Sequence, residues 1–277
     1  MDSKEIIRLK SFAQRMRNRS LKMALDCDRN GSHLGAALST IEIFAALYAK
    51  VLKYSASNPF DNTRDRLIVS KGHCVLAYYT ALSQAGFLTE ADLESFEKNG
   101  ASLHGHATRD VAKGIEFSGG SLGMGFSYSV GVAIAGKSSH IPYHVYAIIG
   151  DGECNEGIIW EACMAASHYK LDNLTLIIDD NKLQYDGESV KVMNMGSLQT
   201  KFEAFGFHVL NINGHDVEQL VHALTERKPG MPTAIIANTI KGKGVSFMEN
   251  KKEWHHSRLS QEQYDIAMAE QPPIITE

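Results

Sequence analysis

Five short apolar runs punctuate the chain, at residues 65–70, 145–149, 174–179, 207–212 and 233–239, and glycine or polar residues close most of them. Near-continuous apolar runs of this length fit strands covered on both faces. Helical spacing joins them. Ile6, Ile7, Leu9, Phe12, Met16, Leu21 and Leu25 predict a helix over about 4–25. Asn30-Gly31-Ser32 breaks that pattern, and Ser39 or Thr40 is placed to cap a helix running to about Val51. Further helices are expected at about 74–85, 126–136, 156–169, 197–205 and 216–227, with a short one after Ser260 that ends at Pro272-Pro273. Residues 100–125, rich in Gly, Ser and His, read as a long loop, as do residues 241–253. A loop as long as 100–125 in a compact domain is usually functional. The alternation predicts an α/β fold, a three-layer αβα domain with a mainly parallel sheet. Right-handed crossovers then place all the strand C-termini on one edge, where ligands bind. The whole chain, 1–277, reads as a single domain with an N-terminal helical segment.

Composition narrows the function. The net charge is −4 with no long basic block, so nucleic-acid binding has no electrostatic support. No run approaches the roughly 18–20 apolar residues of a membrane span, and the charged N-terminus lacks the apolar stretch of a signal peptide. Cys27, Cys74, Cys154 and Cys163 form no CxxC pair. Free thiols in a reducing compartment are expected, and with them a cytoplasmic location.

The chemistry gathers at the strand ends. Gly150-Asp151-Gly152 closes the second run, and Asn181 closes the third. Adjacent strands of a parallel sheet would deliver this carboxylate and this amide oxygen to the same edge. Such a pair suits a hard divalent cation that keeps positions open for phosphate oxygens, Mg²⁺ with Ca²⁺ or Mn²⁺ as substitutes. The Leu183 carbonyl is the candidate third ligand. Gly150 and Gly152 let the backbone approach phosphates closely. A lone Gly-Asp-Gly is common in turns; it is the pairing with Asn181 after the next strand that gives it weight. Gly119 to Gly125, GGSLGMG, is a second glycine-rich turn that opens a helix, and its N–H groups can receive an anionic or polar group. No strand–GxGxxG–helix unit leads to an acidic residue at dinucleotide-binding spacing. His33, His73, His106 and His255 all lie in polar or glycine-containing turns. Imidazoles there can bind hydroxyls and exchange protons near neutral pH.

With these residues in place, the chain resembles the N-terminal part of transketolases. The ordered series is GSHLG, SKGH, LHGHATRD, EFSGGSLGMG, GDGECNEG, DDNKL, NTIKGKG and EWHH, over about residues 30–256. The resemblance implies a thiamine diphosphate (ThDP)-binding fold. It implies that Asp151, Asn181 and the Leu183 carbonyl hold the metal, and that Gly120, Ser121, Leu122, Gly150, Gly152, Lys241 and His255 contact ThDP. It further implies that His33, His73 and His106 face the substrate or the reacting end of the cofactor. Glu156 matches a family glutamate at the subunit interface that links paired active sites. Two positions depart from the family pattern: Leu34 stands where Pro is frequent, and Met124 where Gln is frequent.

The function implied is transfer of a two-carbon ketol unit from a ketose phosphate to an aldose phosphate, as in pentose phosphate metabolism. Alternatives are a transketolase for a branched or sulfonated sugar, the α subunit of a 2-oxo acid dehydrogenase, and a non-enzymatic scaffold subunit. The histidine set favours the polyol-handling enzymes, and intact Asp151 and Asn181 oppose a scaffold. The family's pyrimidine domain has no counterpart in this sequence. The expectation is therefore a split enzyme, inactive without a C-terminal partner subunit that carries that domain, assembled as α2β2. Phe126, Val130, Val132 and Ile134, with Ile158, Ile159 and Trp160, are the candidate docking residues.

Overall fold

The structure, a computed structural model, describes residues 1–27 and 30–275; the rest of the 1–277 span lies outside the described residues. Its centre is a five-stranded, fully parallel sheet in the order β1-β2-β3-β5-β4, formed by β1 (Arg66–Val69), β2 (Val145–Gly150), β3 (Leu174–Asp180), β4 (His208–Asn213) and β5 (Thr233–Asn238). Side-chain alternation splits each inner strand between two cores. Tyr146, Ile148, Ile177 and Ile235 face one side, and Ala147, Ile149, Leu176, Ile178 and Ile236 the other. This is why the runs read as continuously apolar. The expected three-layer αβα class is observed.

The helices are α1 (Ser3–Asp26), α2 (Leu34–Leu38), α3 (Ile41–Ala46), α4 (Val75–Gln84), α5 (Glu90–Glu94), α6 (Met124–Ser138), α7 (Gly157–His168), α8 (Ser189–Val192), α9 (Leu198–Ala204), α10 (Val217–Thr225) and α11 (Gln261–Ala269). Residues from α1 to α4, α10 and α11 fill the first core, and residues from α6, α7 and α9 fill the second. Several helices start on side-chain caps that satisfy otherwise orphaned N–H groups. Asp2 accepts from Glu5 N, Ser197 from Thr200 N and Asp216 from Glu218 N, while Thr89 and Ser260 close capping boxes.

The expected helix from Ser39 or Thr40 to Val51 needs correction. Helix begins earlier, at Leu34, breaks at Ser39-Thr40, resumes at Ile41 and ends in a π turn over Leu47–Val51. Neither hydroxyl caps. Thr40 Oγ1 donates back to the Ala36 and Ala37 carbonyls, and Ser39 Oγ donates to Asp179 Oδ2 at 2.7 Å. The break is thus set by a tertiary bond to the end of β3. Short helices α5 and α8 lie in stretches with no helix expected.

Candidate active site

The C-terminal ends of β1, β2, β3 and β5 open on one cleft of about 270 Å³. It is lined by His33, His73, His106, Gly120, Leu122, Gly150, Asp151, Gly152, Asn181, Leu183, Lys241 and His255, together with Lys71, Glu153, Gln184, Tyr185 and Asp186. Of the residues expected to hold the metal, the cofactor or the substrate, Ser121 alone does not line it. Glu156 also lies outside it, exposed at the start of α7 beside Gly123.

A buried ion pair underpins the floor. Lys71 Nζ binds Asp179 Oδ2, and both side chains are almost fully excluded from solvent. Burial opposes charge on each, but their attraction outweighs it: Lys71 is raised and Asp179 lowered. Ser39, Thr239 and Asn181 also donate to Asp179. The bond from Asn181 Nδ2, at 2.9 Å, fixes the orientation of the amide; its Oδ1 accepts from Leu183 N at 3.1 Å and keeps a second lone pair.

The donor set fits a divalent cation. Asp151 is buried, and Ser189 Oγ donates to its Oδ2 at 2.5 Å. Burial raises its pKa, with Asp179 and Asp180 adding to the rise. A metal ion would relieve this accumulation of negative charge. The Leu183 carbonyl already accepts from a cation, Lys241 Nζ, at 3.1 Å. Hard oxygens from a carboxylate, an amide and a carbonyl make a set suited to Mg²⁺. A bound cofactor also has room at the turn and at the glycine-rich loop: a Cβ at Gly150 or at Gly120 (φ +137°) would meet nothing within 4 Å.

The same cleft holds a group of imidazoles. Ring centroids of His33 lie 5.7 Å from His73, 5.3 Å from His106 and 5.6 Å from His255, and His73 lies 5.0 Å from His255. His256, for which the sequence suggests no role, is nearer still to His33, at 4.5 Å. Burial, then neighbouring His256, His106 and Lys241, lowers His33 to about 3. Burial, Lys241 and His33 do the same to His255, also to about 3. His73 is lowered by burial and Lys71. These three rings are therefore neutral at pH 7, each offering one donor and one acceptor. Lys241, lowered to about 8 by burial and Lys71, donates to His255 Nδ1 at 3.0 Å, so the His255 N–H sits on Nε2.

Both departures from the family pattern are locally unremarkable: Leu34 is buried at the start of α2, and Met124 is exposed at the start of α6. The expected docking residues are partly overturned. Phe126, Val130 and Ile159 are buried in the protein's own second core. The outward stripe of α6 is Met124, Tyr128, Gly131 and Ala135, with Met164 exposed on α7. Most of the larger apolar residues of these helices face the sheet, but Met124, Tyr128 and Met164 face out together with the small Gly131 and Ala135.

Comparison with known proteins agrees with this geometry. The family model for the transketolase thiamine diphosphate binding domain matches residues 13–271. The chain is 42% identical over 240 residues to a 6-deoxy-6-sulfo-D-fructose transketolase subunit of a Clostridium species, covering 86% of this chain and 87% of the relative. It is 39% identical over 262 residues to one subunit of the apulose-4-phosphate transketolase of Phocaeicola vulgatus, covering 93% and 92%. Human transketolase is 38% identical over 264 residues, but the match spans only 41% of its length. Among solved structures, transketolase from Leishmania mexicana superposes with a TM-score of 0.88 at 29% identity, covering 97% of this chain and 42% of that one. The Campylobacter jejuni enzyme superposes at 0.86 with 32% identity, covering 97% and 43%. The chain belongs to the transketolase family, as its thiamine diphosphate binding domain.

Proposed function

We propose that this chain is the diphosphate-binding subunit of a split transketolase, moving a two-carbon ketol unit from a ketose phosphate to an aldose phosphate. The observation that carries the reading is the shared cleft, which is lined both by Asp151, Asn181 and Leu183 and by His33, His73, His106 and His255. Asp151, Asn181 and Leu183 would hold Mg²⁺, and Gly120, Leu122, Gly150, Gly152, Lys241 and His255 would contact ThDP. Ser121 belongs to the same glycine-rich turn. When bound, ThDP supplies the nucleophilic carbon and the electron sink for breaking and making the carbon–carbon bond. The imidazoles of His33, His73 and His106 bind sugar hydroxyls and carry protons to and from the carbonyl oxygens. Glu156 takes the role of an interface residue that meets a second polypeptide rather than substrate, a reading supported by its exposure at the start of α7.

The partner is a C-terminal subunit bearing the pyrimidine domain, in an α2β2 assembly. Two relatives matched along most of their length are named as subunits. The exposed Met124, Tyr128 and Met164, with the small Gly131 and Ala135, offer a largely apolar face for docking. The location proposed is cytoplasmic; the four cysteines are free and buried, as a reducing compartment allows. Among the described residues no helix is long and apolar enough to cross a membrane.

The test is reconstitution. Neither polypeptide by itself should transfer a ketol unit, and mixing should give turnover with ThDP and Mg²⁺. The acceptor and donor panel should include sulfonated and branched sugars, which the relatives' names call for. Full turnover by this chain by itself would refute the split-enzyme reading.

A further inference from the structure

Glu153 lies one residue beyond the Gly150–Gly152 turn, within the GDGECNEG segment but with no role assigned to it from sequence, and is 2% exposed. Its carboxylate joins three pieces of chain that are far apart in sequence. Oε1 accepts Gly123 N at 2.7 Å and the Ser70 hydroxyl; Oε2 accepts Gly150 N at 3.2 Å. Gly123 belongs to the glycine-rich loop, Ser70 follows β1, and Gly150 ends β2. The loop is otherwise seated by close backbone approach. A Cβ on Gly125 would fall 2.6 Å from Ser70 Cβ, and one on Gly119 would fall 3.0 Å from Gly72 Cα. Gly123 holds a positive φ of 82°, and a Cβ there would fall 2.4 Å from Ile158 Cγ2. Glu153 thus ties the loop to the turn from the inside.

The two pieces serve opposite ends of the cleft's ligand. A metal-bound diphosphate belongs at Asp151 and Gly152, so the organic remainder of ThDP must extend away from that turn. Gly120 and Leu122, on the loop that Glu153 holds, line the same cleft. We propose that Glu153 is a positioning residue that fixes the distance between the metal turn and the glycine-rich loop, so that one molecule of ThDP engages both. This rests on the reading of the cleft as a ThDP site. The role needs a carboxylate. Gly123 N and Gly150 N are fixed donors aimed at different oxygens of one side chain, and an amide has only one oxygen. In Glu153→Gln a donor therefore faces a donor, and the loop or the turn must move. Any ligand that spans both then binds only the fraction of molecules in which they are still correctly spaced.

The test compares two probes on the full chain with saturating Mg²⁺: ThDP, which spans turn and loop, and inorganic diphosphate, which needs the turn alone. Glu153→Gln should weaken ThDP by about tenfold or more, the usual effect of orphaning a buried donor, while diphosphate stays within about threefold. Ser70→Ala, which removes one donor from Oε1 but leaves both backbone bonds, should give a smaller loss of the same kind. The ThDP-over-diphosphate split is the deciding readout, since a residue that only supports the fold would lower both affinities together, along with the melting temperature. Affinities for both probes that are the same in wild type and Glu153→Gln, or parallel loss of both, would overturn the proposal. If Glu153→Gln does not fold, Ser70→Ala decides: a selective loss of ThDP supports the role, and no selectivity overturns it. Wild-type protein that binds neither probe would remove the ThDP reading itself, a separate and distinguishable failure.

Discussion

Lowering the pH should destabilise this protein through its histidine cleft, and the size of the effect follows from the structure. His33 and His255 are held near pKa 3 by burial and neighbouring positive groups, against about 6.5 in the unfolded chain. The folded pKa values are depressed. As the pH falls below 6.5 the unfolded chain takes up protons that the native state refuses, so stability is lost progressively between 6.5 and 3. Each fully shifted histidine costs about 1.4 kcal/mol per pH unit in that window. From pH 6.5 to 5.0 this is about 2 kcal/mol per ring; halving it because both rings are partly open to solvent leaves about 1 kcal/mol each, about 2 kcal/mol for the pair. His73 acts in the same direction. Asp151 and Glu153, whose pKa values are raised, act in the opposite one. The assay is therefore urea unfolding at pH 7.5 and 5.0 on the wild type and on a His33→Asn, His255→Asn double variant, which leaves the carboxylates in place. The wild type should lose about 2 kcal/mol more than the double variant over this interval. Equal losses would show that these rings are not held neutral, and would refute the electrostatic account of the cleft.

Three further outcomes are expected. Glu42→Ala should destabilise by about 3–5 kcal/mol in the same unfolding assay at neutral pH, because it strips the ion-pair partner from buried Arg17 and the acceptor from His215 Nδ1. A change within error would mean that Arg17 does not depend on this carboxylate to stay buried. His73→Ala or His106→Ala should leave ThDP affinity near wild type while slowing turnover of the reconstituted enzyme by roughly 10²–10⁴; unchanged kcat and KM for either would assign that ring a structural role. Met164→Glu, on the exposed face of α7, should leave the melting temperature unaltered but abolish co-purification with the partner subunit, and a variant that still co-purifies would move the docking face elsewhere.

Much of this architecture is legible in the sequence, for a physical reason. A parallel sheet covered on both faces forces its strands to be largely apolar, so most of them announce themselves as runs, and the residues that close two of them, Gly150-Asp151 and Asn181, mark the ligand edge. The imidazoles of the cleft can be found because each sits in a turn with few other reasons to hold a histidine. What escapes the sequence depends on tertiary contact. The interruption at Ser39-Thr40 follows from a bond between Ser39 and Asp179, 140 positions away. The Thr89 and Asp92 pair that starts α5 is a capping-box pattern that could have been read. Lys71 and Asp179 are hidden because a buried ion pair looks, in sequence, like two charges at strand ends. Glu153 is hidden because its three donors come from segments up to 83 positions distant. The outward stripe of α6 is misjudged for a different reason: the helix is apolar on most sides, so composition alone does not say which side meets the sheet.

The central claim is that Asp151 and Asn181 form the metal end of a ThDP site, and the most direct measurement is calorimetric titration of ThDP with Mg²⁺ or with EDTA, into the wild type and into Asp151→Ala. The wild type should bind with Mg²⁺ and not with EDTA, and Asp151→Ala should bind in neither case. Unchanged, metal-independent ThDP affinity in Asp151→Ala would contradict the account.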